Sequence, residues 1–295
     1  MIDEKLVFTN KEGRSIELGN KEPYILMTVE GLGSTTVDNQ TQKAPYQDGK
    51  TLIDSLLEPR ELFITLLIKT EDQETLYEKR QEINEVINPK KGPFSIKHVF
   101  AGNEKEVQAV VEDGPNYMTG EDNRGPTFQV TEISLLAPDP FFYDILKTGE
   151  TMGILEGGLT FPLLLNKDNE EHTLFARRGY EVLMENKGDV PTPVYIEFYG
   201  AAENPIVMNN TTGEFIKVNK ILESDEKLII NTAFGNKKVE LIDGDGNREN
   251  AFNYIDLDST FWQLQTGANM VDFDSDIDKE FARVYVSYKN RYLGV

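Results

Sequence analysis

The chain has no cysteine, so neither a disulfide nor a thiolate metal site helps to hold it together. Histidine is nearly missing. His98 and His172 are the only two, far apart in sequence, and neither has the clustered carboxylates or the spacing of a zinc site or a nucleophilic triad. No uninterrupted apolar run approaches the length of a membrane span. The opening MIDEKLVFTN lacks the basic region and apolar core of an export signal, so neither membrane insertion nor signal-peptide export is expected. Internal repeats and low-complexity tracts are absent as well. Positive charge is scarce: 30 basic residues against 51 acidic ones leave a net −21. That balance argues against holding nucleic acid through phosphate contacts, although an acidic surface also serves solubility alone.

What is present is strand-like. The 295 residues suit two domains, and a 39% hydrophobic share in dense short runs is enough to close two cores. The expected fold is mainly β with one α-helix. Residues 24–29 (YILMTV) and 62–68 (LFITLLI) are continuous apolar runs, as expected of strands buried on both faces. The helix is expected over 70–88, with Thr70 as N-cap, Glu71 and Asp72 in the first turn, and Leu76, Ile83, Val86 and Ile87 on one face. Pro89, Gly92 and Pro93 stop it. Alternation resumes from Phe94 and continues through 107–111 and 127–136. Pro138 and Pro140 then close a first domain, 1–142, because proline is excluded from a central strand.

Between the first two apolar runs lies a polar, aperiodic span, 31–60, read as an arm. A loop of that length is mobile, functional or ordered by a neighbour. Leu52, Ile53, Leu56 and Leu57 are its apolar anchors and the candidate contacts between subunits.

The second domain, 143–295, begins with a glycine-punctuated linker and first strands over 143–180. Short strands follow at 180–184, 194–199, 214–218, 227–231, 239–242, 252–257, 270–273 and 281–288, at the spacing of a sandwich or barrel. Within it, Val239 and Leu241 lead into the turn residues Asp243 to Asn247, and Phe252 and Tyr254 resume alternation on a return strand. Ile255 and Leu257 carry the opposite parity, which places a bulge or strand end between the two pairs.

No motif carries a mechanism. Gly31-Leu32-Gly33-Ser34-Thr35-Thr36 follows a strand like a dinucleotide fingerprint, but a polar arm follows where the helix should start, so a strand-to-loop turn is the reading. Asp243 to Asn247 offers calcium-type oxygens, but Arg248 and Tyr254 stand where a glycine and a bidentate carboxylate are needed. Asp272, Asp274, Asp276 and Asp278 fail at the same two places, through Ile277 and Arg283. Acid pairs abound in so acidic a chain, and nothing singles out a glycosidase dyad. No catalytic residue, cofactor or metal ligand is assigned. Trp262, the lone tryptophan, sits beside Phe261, and an extended backbone points the two to opposite faces. It is the candidate exposed aromatic, able to stack on a sugar, or, more in keeping with its chemistry, an anchor buried in a protein interface.

Several segments in order resemble the distal tail (Dit) proteins of siphophages infecting Gram-positive bacteria. They include Leu257-Asp258-Ser259-x-Phe261-x-x-Leu264-x-x-Gly267-x-Asn269; Gln47-Asp48-Gly49 leading to Pro59-Arg60; Ala137 to Phe142; Glu185 to Asp189 with Thr192-Pro193; Asn204-Pro205 with Thr211 to Glu214; and Tyr288 to Val295. The resemblance implies an N-terminal, ring-forming domain of tail-tube type and a C-terminal galectin-like β-sandwich. It further implies a homo-hexameric hub at the distal end of the virion tail, assembled in the host cytoplasm. Such a hub would join the tail tube and tape measure proteins to the tail-associated fibre protein and let DNA through its lumen without specific binding. The alternatives are a carbohydrate-binding tail adaptor recognising the host cell wall and, more remotely, a cell-wall-active enzyme. A ring passing DNA should have a neutral or negative lumen, and the helix region has Glu71, Asp72, Glu74, Glu78, Glu82 and Glu85 against Lys79 and Arg80.

Overall fold

The computed structural model describes residues 4–156, 177–277 and 279–295. The chain divides into Met1–Ile145 with Arg291–Val295, and Leu146–Asn290. The return of 291–295 to the first unit differs from the sequence reading, which gave them to the second. The reason is local: Tyr292 pairs with Phe142, and the Leu293 carbonyl is taken up inside the first unit.

In the first unit the strands are β1 (Glu4–Thr9), β2 (Ser15–Leu18), β3 (Tyr24–Glu30), β4 (Val37–Gln42), β5 (Thr51–Leu57), β6 (Arg60–Lys69), β7 (Phe94–Phe100), β8 (Asn103–Tyr117), β9 (Phe128–Ala137) and β10 (Phe142–Asp144). The main sheet runs β2-β1-β7-β8-β9-β6-β3. A bridge between Gly19 and Ile25 brings its two edge strands together, which removes exposed edges. The two register shifts along β8 let that long strand bend round the sheet.

The two apolar runs are not buried on both faces. Leu62, Ile64, Leu66 and Ile68 of β6 point into the core while Phe63 is exposed, and β3 leaves Met27 outside. One face of this sheet meets water, so the strands alternate although the sequence does not.

The helix α1 is Gln73–Val86, and its N-cap is Asp72, whose carboxylate accepts from the Thr75 N–H at 2.8 Å. Thr70 lies two residues before the cap, its N–H bonded to the Thr127 carbonyl and its hydroxyl donating to the Asp72 carbonyl at 2.9 Å, so it braces the entry to the helix and does not cap it. Leu76, Ile83, Val86 and Ile87 are buried against the sheet, each contributing roughly 1.5–3 kcal/mol. Tyr24 and Tyr117 pin the helix from opposite strands, donating to Glu82 at 2.8 Å and to Asn84 at 2.9 Å.

The second unit is a two-sheet sandwich of galectin-like kind. One sheet orders Thr148–Met152, Arg283–Tyr288, Thr192–Tyr199, Lys227–Asn231, Lys238–Ile242 and Arg248–Asn250. The other orders Glu181–Asn186, Gly267–Asp274, Ile206–Asn209 and Glu214–Lys217. Phe198 and Phe273 meet edge-on between them at 5.6 Å. The expected return strand at 252–257 ends early: Arg248–Asn250 is the strand, and Phe252–Tyr254 is a turn of 3-10 helix.

Candidate assembly interface

The arm is ordered as a β-hairpin. β4 and β5 pair only with each other, and the turn at Tyr46 is tied by Gln47, which accepts from the Ala44 N–H and donates to Thr51. A shift after Gln40 leaves Ile53 as an extra residue. That bulge matters for chemistry, because it changes which side chains share a face. Register places Val37, Leu57 and Leu52 on one face with Asn39 and Ser55, and puts Leu56 on the other face with Asp38 and Asp54. Leu52, Ile53 and Leu56 are 58%, 64% and 52% exposed, and Leu57 is half-buried. A two-stranded hairpin with bare leucines is marginal in water, and apolar surface of this kind marks a contact site.

At its root sits a residue that sequence reasoning did not single out. Arg60 opens β6 with the inward parity of Leu62 and Ile64, and is 1% exposed. Among the described residues its guanidinium meets no carboxylate. Nε donates to the Pro140 carbonyl at 2.7 Å, Nη2 to that of Leu293 at 2.6 Å, and Nη1 to those of Gly31 and Gly33. Phe142 covers its face at 4.6 Å. Burial pushes its pKa down, and the carbonyl dipoles take the place of a counter-ion. Gly31 has φ +90 and a Cβ there would overlap the Glu61 carbonyl, so this close turn requires a glycine at 31. The signal for Arg60 was its parity in a run otherwise apolar on that side.

Trp262 is neither exposed nor an interface anchor. It is 1% exposed inside the sandwich core, with its indole N–H donating to the Val207 carbonyl. Phe261, its neighbour, is half-buried against the same core and stacks on Phe252. The aromatic platform required by a sugar reading at Trp262 is therefore absent. Exposed aromatics of the second unit include Tyr199, Phe234, Phe252 and Phe281, of which Tyr199 and Phe281 line a cleft with Tyr285 and Arg283. The Tyr199 hydroxyl donates to Glu197, which with burial pushes its pKa up to about 12.

The acidic runs are used locally. Asp243 accepts from the Asp245 and Asn247 N–H groups and from the Asn247 side chain, and these bonds hold its pKa down in a hairpin turn. Asp274 pairs with Lys279 and Asp276 accepts from Asn204, while Asp278 lies outside the described residues. Among the described residues no group of three or more His, Asp or Glu is placed to hold a metal. His98 pairs with Glu4 at 2.9 Å, and His172 lies outside the described residues. Glu71 and Asp72 ahead of α1 and Glu74, Glu78 and Glu85 on it are exposed, whereas Lys79 pairs with Glu82 and Arg80 stacks on Tyr117. No helix among the described residues is long and apolar enough to cross a membrane.

Two family models match in succession: a phage tail protein RIFT-related domain over residues 11–136 and a siphovirus-type tail component, C-terminal domain, over residues 187–292. No curated protein sequence matches the chain. Among solved structures it is similar to the Dit protein of phage SPP1, at 11% identity and TM-score 0.62 over 97% of this chain and 98% of that one. It is also similar to a chain of the phage P2 baseplate in its activated conformation with calcium, at 12% identity and TM-score 0.53 over 100% of both. The strontium form gives 11% and 0.53 over 99% of both. Identities this low speak for a shared fold.

Proposed function

The chain belongs to the siphophage distal tail (Dit) family, and from that premise we propose that it assembles as a homo-hexameric hub at the distal end of the tail. It is a structural component of a phage tail or baseplate. The SPP1 relative is described as a paradigm of a hub adsorption apparatus in phages infecting Gram-positive bacteria, which supports the hub reading here. In this role the ring joins the tail tube and tape measure proteins on one side to the tail-associated fibre protein on the other. DNA passes through its lumen without specific binding, and the chain performs no catalysis.

The observation that carries the reading is the hairpin. It pairs with nothing in its own unit beyond its root, yet it presents Leu52, Ile53, Leu56 and Leu57. Docking on an adjacent subunit would bury those leucines at roughly 25 cal/mol per Å² of apolar surface. A head-to-tail contact of this sort closes into a ring when the rotation permits. The test is the native mass of the purified chain with and without residues 37–57. A ring of six that dissociates on deletion, with the second unit still folded, is the expected result; a chain monomeric at high concentration and in the virion would refute the hub.

A further inference from the structure

We propose that Arg60 is the residue that positions the arm for docking, and that it does so only together with residues 291–295. The step rests on the reading of the arm as an inter-subunit element. Since β4 and β5 bond only to each other, the direction of the hairpin is set where it leaves the unit. There the Thr35 hydroxyl clips the two strands, placed to donate to the Glu58 and Pro59 carbonyls at 3.2 Å, and further contacts join it. Arg60 holds the Gly31 and Gly33 carbonyls, the Val295 N–H donates to Leu32 at 3.0 Å, and the Glu58 N–H donates to Thr36 at 2.9 Å.

The same guanidinium holds Pro140 at the exit of the chain toward the second unit and Leu293 after its return, 233 residues from Arg60. These two passages are themselves paired, Phe142 with Tyr292 and Tyr143 with Arg291. One buried side chain therefore ties the arm root to both crossings. A seven-residue strand at ~3.3 Å per residue is a lever of ~23 Å, so ~10° of freedom at the root moves the tip by ~4 Å. A docking geometry does not survive that error. Lysine is no substitute: an ammonium presents its donors from a single point and cannot span carbonyls set around a planar fork.

It follows that the arm acquires its direction only when the segment after the second unit has come back. The first unit then becomes competent to assemble late, once residues 291–295 are in place.

The test uses the full chain with Arg60→Lys, a deletion of Leu293–Val295, and the two combined. Backbone hydrogen exchange is read at the arm root, and native mass reports assembly. We expect exchange of the amides of Leu32 to Thr36 to accelerate at least tenfold in each variant, with β9 and the second unit unchanged. Oligomer should be lost in parallel, and the combined variant should be no worse than the deletion alone, which removes both the Leu293 carbonyl from Arg60 and the Val295 bond to Leu32. Unchanged protection at the root, or protection lost while assembly persists, overturns the role of Arg60. If deleting 37–57 also leaves assembly intact, the arm reading has failed instead. Should Arg60→Lys not fold, Arg60→Gln, which keeps a planar donor but not the full fork, is read in its place, because the Leu293–Val295 deletion also removes the Val295 bond to Leu32 and so tests the return segment and not Arg60 itself.

Discussion

Trp262 donates its indole N–H to the carbonyl of Val207 at 3.3 Å, across 55 residues of sequence. The lone tryptophan thus joins the loop ahead of Gln263–Leu264 to the strand Ile206–Asn209 from inside the sandwich. Trp262→Ala should cost ~3–5 kcal/mol by the cavity it leaves. Trp262→Phe should cost less, but still leaves the Val207 carbonyl without its donor. Thermal or urea unfolding of the second unit measures both, and an unfolding midpoint unmoved by Trp262→Ala would contradict the core placement.

The bulge at Ile53 makes a face-specific prediction for the hairpin. Leu52→Asp with Leu57→Asp strikes the face that also carries Val37, whereas Leu56→Asp strikes a face already holding Asp38 and Asp54. The double change should weaken oligomerisation at least tenfold and the single one far less. Both should leave stability within ~0.5 kcal/mol if the leucines are free in the isolated chain. Sedimentation at several concentrations reads the difference. Equal effects would mean that the docking surface ignores strand register.

Much of this was legible because it depends on periodicity. The helical face Leu76, Ile83, Val86 and Ile87 and strands such as Lys227–Asn231 follow from local pattern. What was not legible depends on tertiary partners. Thr70 reads as the cap, but the helix starts only at Gln73 and Asp72 caps it, and the arm looked aperiodic because a hairpin with no core of its own has no inner face to mark. Trp262 beside Phe261 gave the alternation but not which of the two was fully buried. Arg60 was hidden by the habit of reading a charge as exposed; its parity with Leu62 said otherwise.

A hexamer carries six times −21, or −126, and α1 turns most of its carboxylates to solvent while engaging Lys79 and Arg80. Such a ring should bind duplex DNA only weakly at physiological salt, because its net negative charge repels phosphate. Gel-shift titration checks this. Tight binding that weakens steeply with salt would put a positive band on the lumen.

At high pH the first unit should lose stability. Burial, then the bond to Glu82, pushes Tyr24 well above the usual phenol range, and burial raises Tyr117 too. Both folded pKa values lie above the unfolded ~10, so their contribution is complete below pH ~10 and is lost as pH rises toward the folded values. Tyr24→Phe should remove part of that dependence while costing ~1 kcal/mol at neutral pH through the lost bond. Parallel pH–melting curves for wild type and variant test it, and identical alkaline slopes would count against the assignment.

In the second unit, Asp272 is the carboxylate the fold tolerates least. Its Oδ1 is buried with no hydrogen-bond partner, and burial raises its pKa, with Asp274 and Glu181 adding repulsion against the pull of Asn210 and Lys279. A folded pKa above the unfolded ~3.9 means that its favourable contribution exists below that pH and is lost as pH rises through the folded value. At neutral pH the charge therefore works against the fold. Asp272→Asn keeps the shape, removes the charge and offers N–H donors to the carboxylates beside it. It should stabilise the second unit by ~1 kcal/mol, or ~3 °C in Tm, at pH 7, with the gain shrinking toward pH 4 as the wild-type carboxyl takes up its proton. Calorimetry at both pH values decides: a loss of stability at pH 7, or a gain independent of pH, would show that the carboxylate is satisfied by something other than its described neighbours.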